Sequence, residues 1–201
     1  MSTPRAYSET MSIAAADPPR RHRLTVSDYY RMAEVGILAP DARVELIEGE
    51  IFDMAPPGSL HAVTVRRLLK LLVLAAEDSA SVLVQDPVRL SEISEPQPDL
   101  ALLRERDSFY IRNHPGPADV LLVVEVADSS LRFDRDTKAA LYAAHGIPEM
   151  WLVDLRGRRL VRHRMPREGA YTLVDEPDLG VSLEISAMPG IAVDLQLLFD
   201  S

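Results

Sequence analysis

The chain has 201 residues, 47% hydrophobic and 26% charged, which is enough apolar material for one sizeable core and argues against wholesale disorder. Its net charge of −9 excludes a protein that coats nucleic acid through a uniformly basic surface. The absence of cysteine excludes disulfides, Cys-ligated zinc, iron–sulfur clusters and thiol nucleophiles. No apolar run approaches the roughly 20 residues needed to span a bilayer, and the N-terminus lacks the apolar stretch of a secretory signal. A cytoplasmic location is therefore expected.

Residues 1–23 are aperiodic, with Pro18-Pro19 followed by basic residues, and read as a disordered tail ahead of a folded domain at 24–201. "LTVSDYYRMAEVGIL" predicts a short helix with Thr25 or Ser27 as N-cap and Gly36 near its end. Glu48-Gly49 splits "VELIEGEIFDMAP" (44–56) into a hairpin. The stretch 59–78 is the longest helical pattern, with Ser59 as N-cap and an apolar face built on Leu68, Leu71 and Leu72. Strands are expected at 81–90 and 99–103, then a surface loop or irregular helix. "DVLLVVEVA" (119–127) is nearly continuous Val and Leu, which marks a strand buried on both faces. A helix at 134–145 should end at Gly146. Strands at "EMWLVDL", "RLVRHR" and "AYTLVDE" follow, then an edge strand at "VSLEI" and a last strand or helical turn at 191–199. This order implies an α/β fold with a mixed central sheet flanked by helices.

Glu125 stands in that buried strand between Val124 and Val126, where a lone carboxylate would be costly without a partner. Asp99 opens a strand after the rigid "EPQP" lead-in, and Lys138 lies on the next helix, one turn beyond Asp134. Two carboxylates at neighbouring strand ends can hold Mg²⁺, a hard ion that prefers oxygen ligands and keeps several waters. A lysine beside them can stabilise charge on a phosphate. The bland alternative makes Asp134 and Lys138 a helix-surface pair worth about 0.2–0.5 kcal/mol. Trp151 and Tyr142 read as core aromatics, and "RGRRLVRHRMPR" (156–167) is either a phosphate-contacting patch or a solvated hairpin rim.

"RVELIEGEIFDMAP", "QPDLALL", "LLVVEVADSSLRFDRDTKAALYAAHGIPEMWLVDL" and "PGIAVDLQLLF" resemble the Uma-type family of restriction endonucleases, a branch of the PD-(D/E)xK nuclease superfamily. The resemblance covers about residues 24–200. It implies a restriction-endonuclease-like fold, DNA as substrate, Mg²⁺ as cofactor with Mn²⁺ as a possible substitute, and a homodimer as a reasonable arrangement for cutting both strands. It makes Pro98-Asp99 the PD pair and Glu125 the (D/E)xK acid, with Asp99 and Glu125 as metal ligands. Ala127 stands where the superfamily's lysine usually stands, and the resemblance points to Lys138 in its place. Glu48 is the candidate for an added upstream metal ligand, preferred over Glu45 because it precedes a turn glycine. His61, Gln85, Ser129 and Asp134 are auxiliary candidates. Two rivals stay open: a catalytically silent binding or regulatory module of the same fold, and an enzyme using Asp99 and Glu125 as an acid/base pair on a sugar.

Overall fold

Alternating apolar strands that must bury both faces need a helix layer on each side, and the chain builds this arrangement. The computed structural model describes residues 20–106, 110–196 and 198–199. Most of the expected N-terminal tail lies outside them. Of its last residues, Arg21 pairs with Glu50 and Arg23 with Glu48, which lays the chain against the first hairpin.

Helix α1 (Val26–Glu34) opens with a reciprocal cap: Asp28 N donates to Thr25 Oγ1 at 3.1 Å, and Thr25 N donates to Asp28 Oδ2 at 2.9 Å. Strands β1 (Val44–Ile47) and β2 (Glu50–Asp53) form an antiparallel hairpin. Its two-residue turn holds Glu48 at φ 53° and Gly49 at φ 77°, the left-handed pair such turns require. A Cβ at Gly49 would stand 2.5 Å from that of Arg23, so glycine is needed there for space as well.

Helix α2 (Ser59–Ala76) and strands β3 (Ala80–Val84), β4 (Leu100–Arg104) and β5 (Val120–Ala127) come next. Gly58, not Ser59, is the N-cap of α2, and no side chain closes that end. The strand expected at 81–90 stops at Val84, because Gln85 takes φ 51° and Pro87 cannot continue a ladder. A second helical segment follows β5 in three joined pieces: α3 (Leu131–Phe133), a π-helical turn (Asp134–Lys138) and α4 (Ala139–Ala144). Then come β6 (Glu149–Asp154), β7 (Arg159–Arg167) and β8 (Ala170–Asp175).

The central sheet has six strands in the order β3-β4-β5-β6-β7-β8. Only the β5–β6 pairing is parallel, joined by the crossover through α3 and α4; its other ladders are antiparallel. β9 (Leu183–Glu184) and β10 (Ala192–Val193) make a separate ladder, so the expected C-terminal edge strand does not extend the sheet.

Each face of the sheet has its own core. Leu68 and Leu72 of α2 pack with Leu100, Leu122, Val124 and Trp151 on one face. Leu141 and Tyr142 of α4 pack with Val123, Ala127, Met150 and Leu152 on the other. Burying each such large apolar side chain contributes about 1.5–3 kcal/mol before entropy is counted. Alternation along β5 decides the rest: Val123 and Ala127 turn toward α4, and so does Glu125 between them.

Candidate active site

Glu125 is buried, and its partners come from the crossover helix. Lys138 Nζ lies 3.2 Å from Glu125 Oε1, and the Tyr142 hydroxyl donates to the same oxygen at 2.7 Å. Lys138 and Tyr142 are four residues apart, so one helical face carries both. The π-helical turn at Asp134–Lys138, closed by Ala139 N donating to Asp134 O, sets the orientation of this face. Such wide turns are frequent at functional sites.

Lys138 has a second anion, Glu45 Oε2 of β1, at 3.0 Å. Glu45 also accepts from Gln97 N at 3.2 Å, which ties the hairpin to the lead-in before β4. Glu48 is the residue expected here, and the structure puts it elsewhere. It sits in the exposed turn and pairs with Arg23 at 2.7 Å, outside the cavity lining. Strand alternation explains the difference, since Glu45 shares a face with the buried Ile47 two residues on. Nor are Asp134 and Lys138 a surface pair. Both are buried; Asp134 accepts from Ser130 Oγ at 2.5 Å, while Lys138 serves the two glutamates.

Asp99 immediately precedes β4, and the pairing of Leu100 with Val124 brings it beside Glu125. Three donors hold its carboxylate: Val126 N at 2.8 Å and His61 Nε2 at 3.1 Å on Oδ2, and Gln85 Nε2 at 3.1 Å on Oδ1. His61 and Gln85 thus act on Asp99. Ser129 lines the same cavity from the exposed turn after β5.

That cavity has a volume of about 300 Å³. It lies between the segment 54–58, the start of α2 and the turn 128–134, with Asp99, Glu125 and Lys138 on its lining. The described lining residues carry six carboxylates (Glu45, Asp53, Asp99, Glu125, Asp128, Asp134) against two permanent cations, Arg43 and Lys138.

Charge crowding shows in the ionisation of these groups. Burial, then the neighbouring carboxylates Asp134, Asp99 and Glu45, push Glu125 well above the usual range despite the opposing pull of Lys138. Burial likewise raises Asp134. Burial opposes the charge of Lys138, yet Glu125 and Glu45 outweigh it and hold the ammonium protonated. Asp99 is also buried, but His61, the Val126 amide and Gln85 prevail and lower its pKa. The hydrogen bond to Asp99 raises His61 against the effect of burial.

Among the described residues no three His, Asp or Glu side chains converge as a ready-made metal cluster. A two-carboxylate site suits Mg²⁺ nevertheless, because that ion usually keeps several of its waters. Asp99 and Glu125 supply hard oxygen donors on one cavity whose negative charge exceeds its positive charge. Both bonds to Glu125 fall on Oε1. The donor set therefore fits the ion.

Glu149 is an instructive contrast. It is equally buried, but accepts from Trp151 Nε1 at 2.6 Å and Ser186 N at 2.8 Å and has no part in the cavity lining. A buried glutamate satisfied by neutral donors is a structural element. Glu125, paired with a cation on a cavity wall, is of another kind.

The arginine-rich hairpin is largely neutralised. Arg156 pairs with Asp128, Arg159 with Asp154 and Glu176, and both Arg162 and Arg164 with Asp175, at 2.8–3.0 Å. Arg158 donates to Phe199 O. The rim reading of 156–167 fits these pairings. Two residues of the site were passed over along the sequence, Glu45 in favour of Glu48 and Tyr142 as a core aromatic. The four-residue offset between Lys138 and Tyr142 was the available signal for the second.

A central mixed sheet covered on both faces, with a buried acid–lysine pair at its crossover, makes this an α/β fold. A family model described as "Putative restriction endonuclease", Uma2, matches residues 26–196, and the chain belongs to that family. A solved structure from Anabaena variabilis ATCC 29413, described as a "putative nuclease belonging to DUF820", is similar with a TM-score of 0.69. It is 13% identical, and the match covers 88% of this chain and 97% of that one, which supports the fold. No curated protein matches. Among the described residues, no helix is long and apolar enough to cross a membrane.

Proposed function

We propose that the chain is a Mg²⁺-dependent endonuclease that hydrolyses DNA phosphodiester bonds, with Asp99 and Glu125 as metal ligands and Lys138 as the charge-stabilising partner. The observation that carries this reading is the position of Lys138 Nζ, 3.2 Å from Glu125 on the cavity that also holds Asp99. Mn²⁺ is the expected substitute. A homodimer would extend the chemistry to both strands of a duplex.

The bound ion would polarise the scissile phosphate and lower the pKa of a water. The chain's own groups do the positioning. Glu45 and Glu125 hold the Lys138 ammonium, which offers positive charge to a phosphate oxygen at the cavity wall. Tyr142 fixes the rotamer of Glu125. Val126 N, His61 and Gln85 fix Asp99, and His61 is within reach to hold or pass a proton at Asp99 Oδ2. A silent binding module is favoured by Ala127, but a lysine reaches the acid from the next helix, so that argument loses most of its weight.

Cleavage of plasmid and single-stranded DNA, with and without Mg²⁺ or Mn²⁺, tests the reading. The wild type should cut with metal, and Glu125→Ala and Lys138→Ala should lose about 10²–10³-fold or more. Cutting by Glu125→Ala at the wild-type rate would place the chemistry elsewhere. Mg²⁺ should also raise the melting temperature of the wild type and not of the Asp99→Asn, Glu125→Gln double variant.

A further inference from the structure

The cavity wall carries two aromatic rings that the reading above leaves unused. Phe52 of β2 and Phe133 of α3 lie with ring centroids 5.0 Å apart and planes inclined at 47°. Both are partly buried: they pack against the core on the α4 face, and both line the cavity. Aromatic rings beside a phosphodiester-cleaving site are stacking surfaces for bases, and only an unpaired or extruded base offers its face.

Charge points the same way. A protein that tracks duplex DNA commonly engages about 6–10 phosphates through Lys and Arg. Here the described lining offers Arg43 and Lys138 against six carboxylates, and Lys138 is already held by two of them. The arginine-rich hairpin is a weak second row, since four of its six guanidinium groups are paired with acids. A volume of about 300 Å³ lies at the lower end for small-molecule sites, about 300–1,000 Å³. That suits one nucleotide and not a double helix.

We propose that the site acts on unpaired strands: a nucleotide enters the cavity with its base against Phe133 and Phe52, and the adjoining phosphate meets the Asp99–Glu125–Lys138 cluster and Arg43. This inference rests on the nuclease reading. With one or two phosphate contacts, the logarithm of affinity falls with the logarithm of salt concentration with a slope of about −0.7 to −1.4.

The test uses the full chain with an oligonucleotide carrying 2-aminopurine, presented unpaired, as a blunt duplex, and as a single-stranded flap on a duplex. Fluorescence reports stacking, and cleavage is followed with Mg²⁺ or Mn²⁺. Unpaired and flap substrates should be bound with quenching and cut at least about tenfold better than the duplex. Phe133→Leu, which keeps apolar volume without a ring, should lose the quenching and about tenfold in affinity, while Phe133→Trp retains both. Equal cutting of the blunt duplex, or wild-type affinity and quenching in Phe133→Leu, overturns the proposal and leaves the nuclease reading standing. Quenched binding without cleavage under either metal supports the nucleotide seat and overturns the nuclease reading. Neither binding nor cleavage overturns both.

Discussion

Lys138→Met removes the ammonium from between Glu45 and Glu125 and keeps an unbranched side chain in its space. Removing one partner of a buried ion pair costs about 3–5 kcal/mol. Two carboxylates lie within 3.2 Å of this nitrogen and Asp134 is a further buried neighbour, so the upper part of that range is expected near pH 8. Against a total stability of about 5–15 kcal/mol the variant still folds, with a much lower urea midpoint. The loss depends on pH with a definite sign. Glu125 is held above its ordinary value in the fold, so the folded state binds the extra proton. Stability therefore falls as pH rises from the unfolded value, about 4.3, toward the folded one. Without Lys138 the folded value moves higher, and the falling limb extends further into the neutral range. Urea unfolding at pH 5 and pH 8 should show a deficit larger at pH 8 than at pH 5. Adding Glu125→Gln should recover part of the loss, with a coupling of about 0.5–3 kcal/mol. A midpoint equal to the wild type at pH 8, or a deficit independent of pH, would refute the idea that Lys138 neutralises buried carboxylates.

His61→Gln should remove a stabilisation of the Asp99 corner that is bounded in pH on both sides. Asp99 is lowered, so its contribution is present above about pH 3.9 and lost in acid; His61 is raised, so its contribution is full below about pH 6.5 and is lost as pH climbs through the folded value. The difference between wild type and variant in thermal unfolding should peak between those limits, and a flat difference would count against the pair. Arg156→Ser with Arg158→Ser should change nucleic-acid affinity by no more than about twofold, because both guanidinium groups are already engaged. A tenfold loss by fluorescence anisotropy would reinstate the hairpin as a contact surface. Leu68→Ala, fully buried between α2 and the sheet, should cost about 2–5 kcal/mol in denaturant unfolding. A cost below about 1 kcal/mol would mean that this face is not the packed core described.

Much of this was legible along the chain because it depends on local period. The run 119–127 declares a two-face-buried strand, Glu48-Gly49 declares a hairpin turn, and Thr25 or Ser27 declares a helix start. The mixed sheet with helices on both faces follows from that order, and the structure has it. Glu125 was conspicuous for a related reason, as a carboxylate in a run that should bury only apolar groups. The errors fall where a local rule had to stand in for distance. Preferring Glu48 for its glycine neighbour took a turn signal for a site signal. The choice between patch and rim for the six arginines of 156–167 stayed open along the chain, because it depends on acids up to 28 residues away, such as Asp128 beside Arg156.

The sequence by itself determined the elements, the odd acid in β5 and the family resemblance, because composition and period are properties of neighbouring residues. The resemblance pointed to Lys138, and tertiary structure decided how it and Tyr142 reach Glu125. Alternation on β5 turns it toward α4, the parallel crossover to β6 lays that helix over it, and the π-helical turn aims Lys138 and Tyr142 at one oxygen. Glu45 arrives from a hairpin some 80 residues earlier in the chain. A buried charge is tolerated only where opposite charge and hydrogen bonds converge on it, and that convergence is set by strand register and chain crossing.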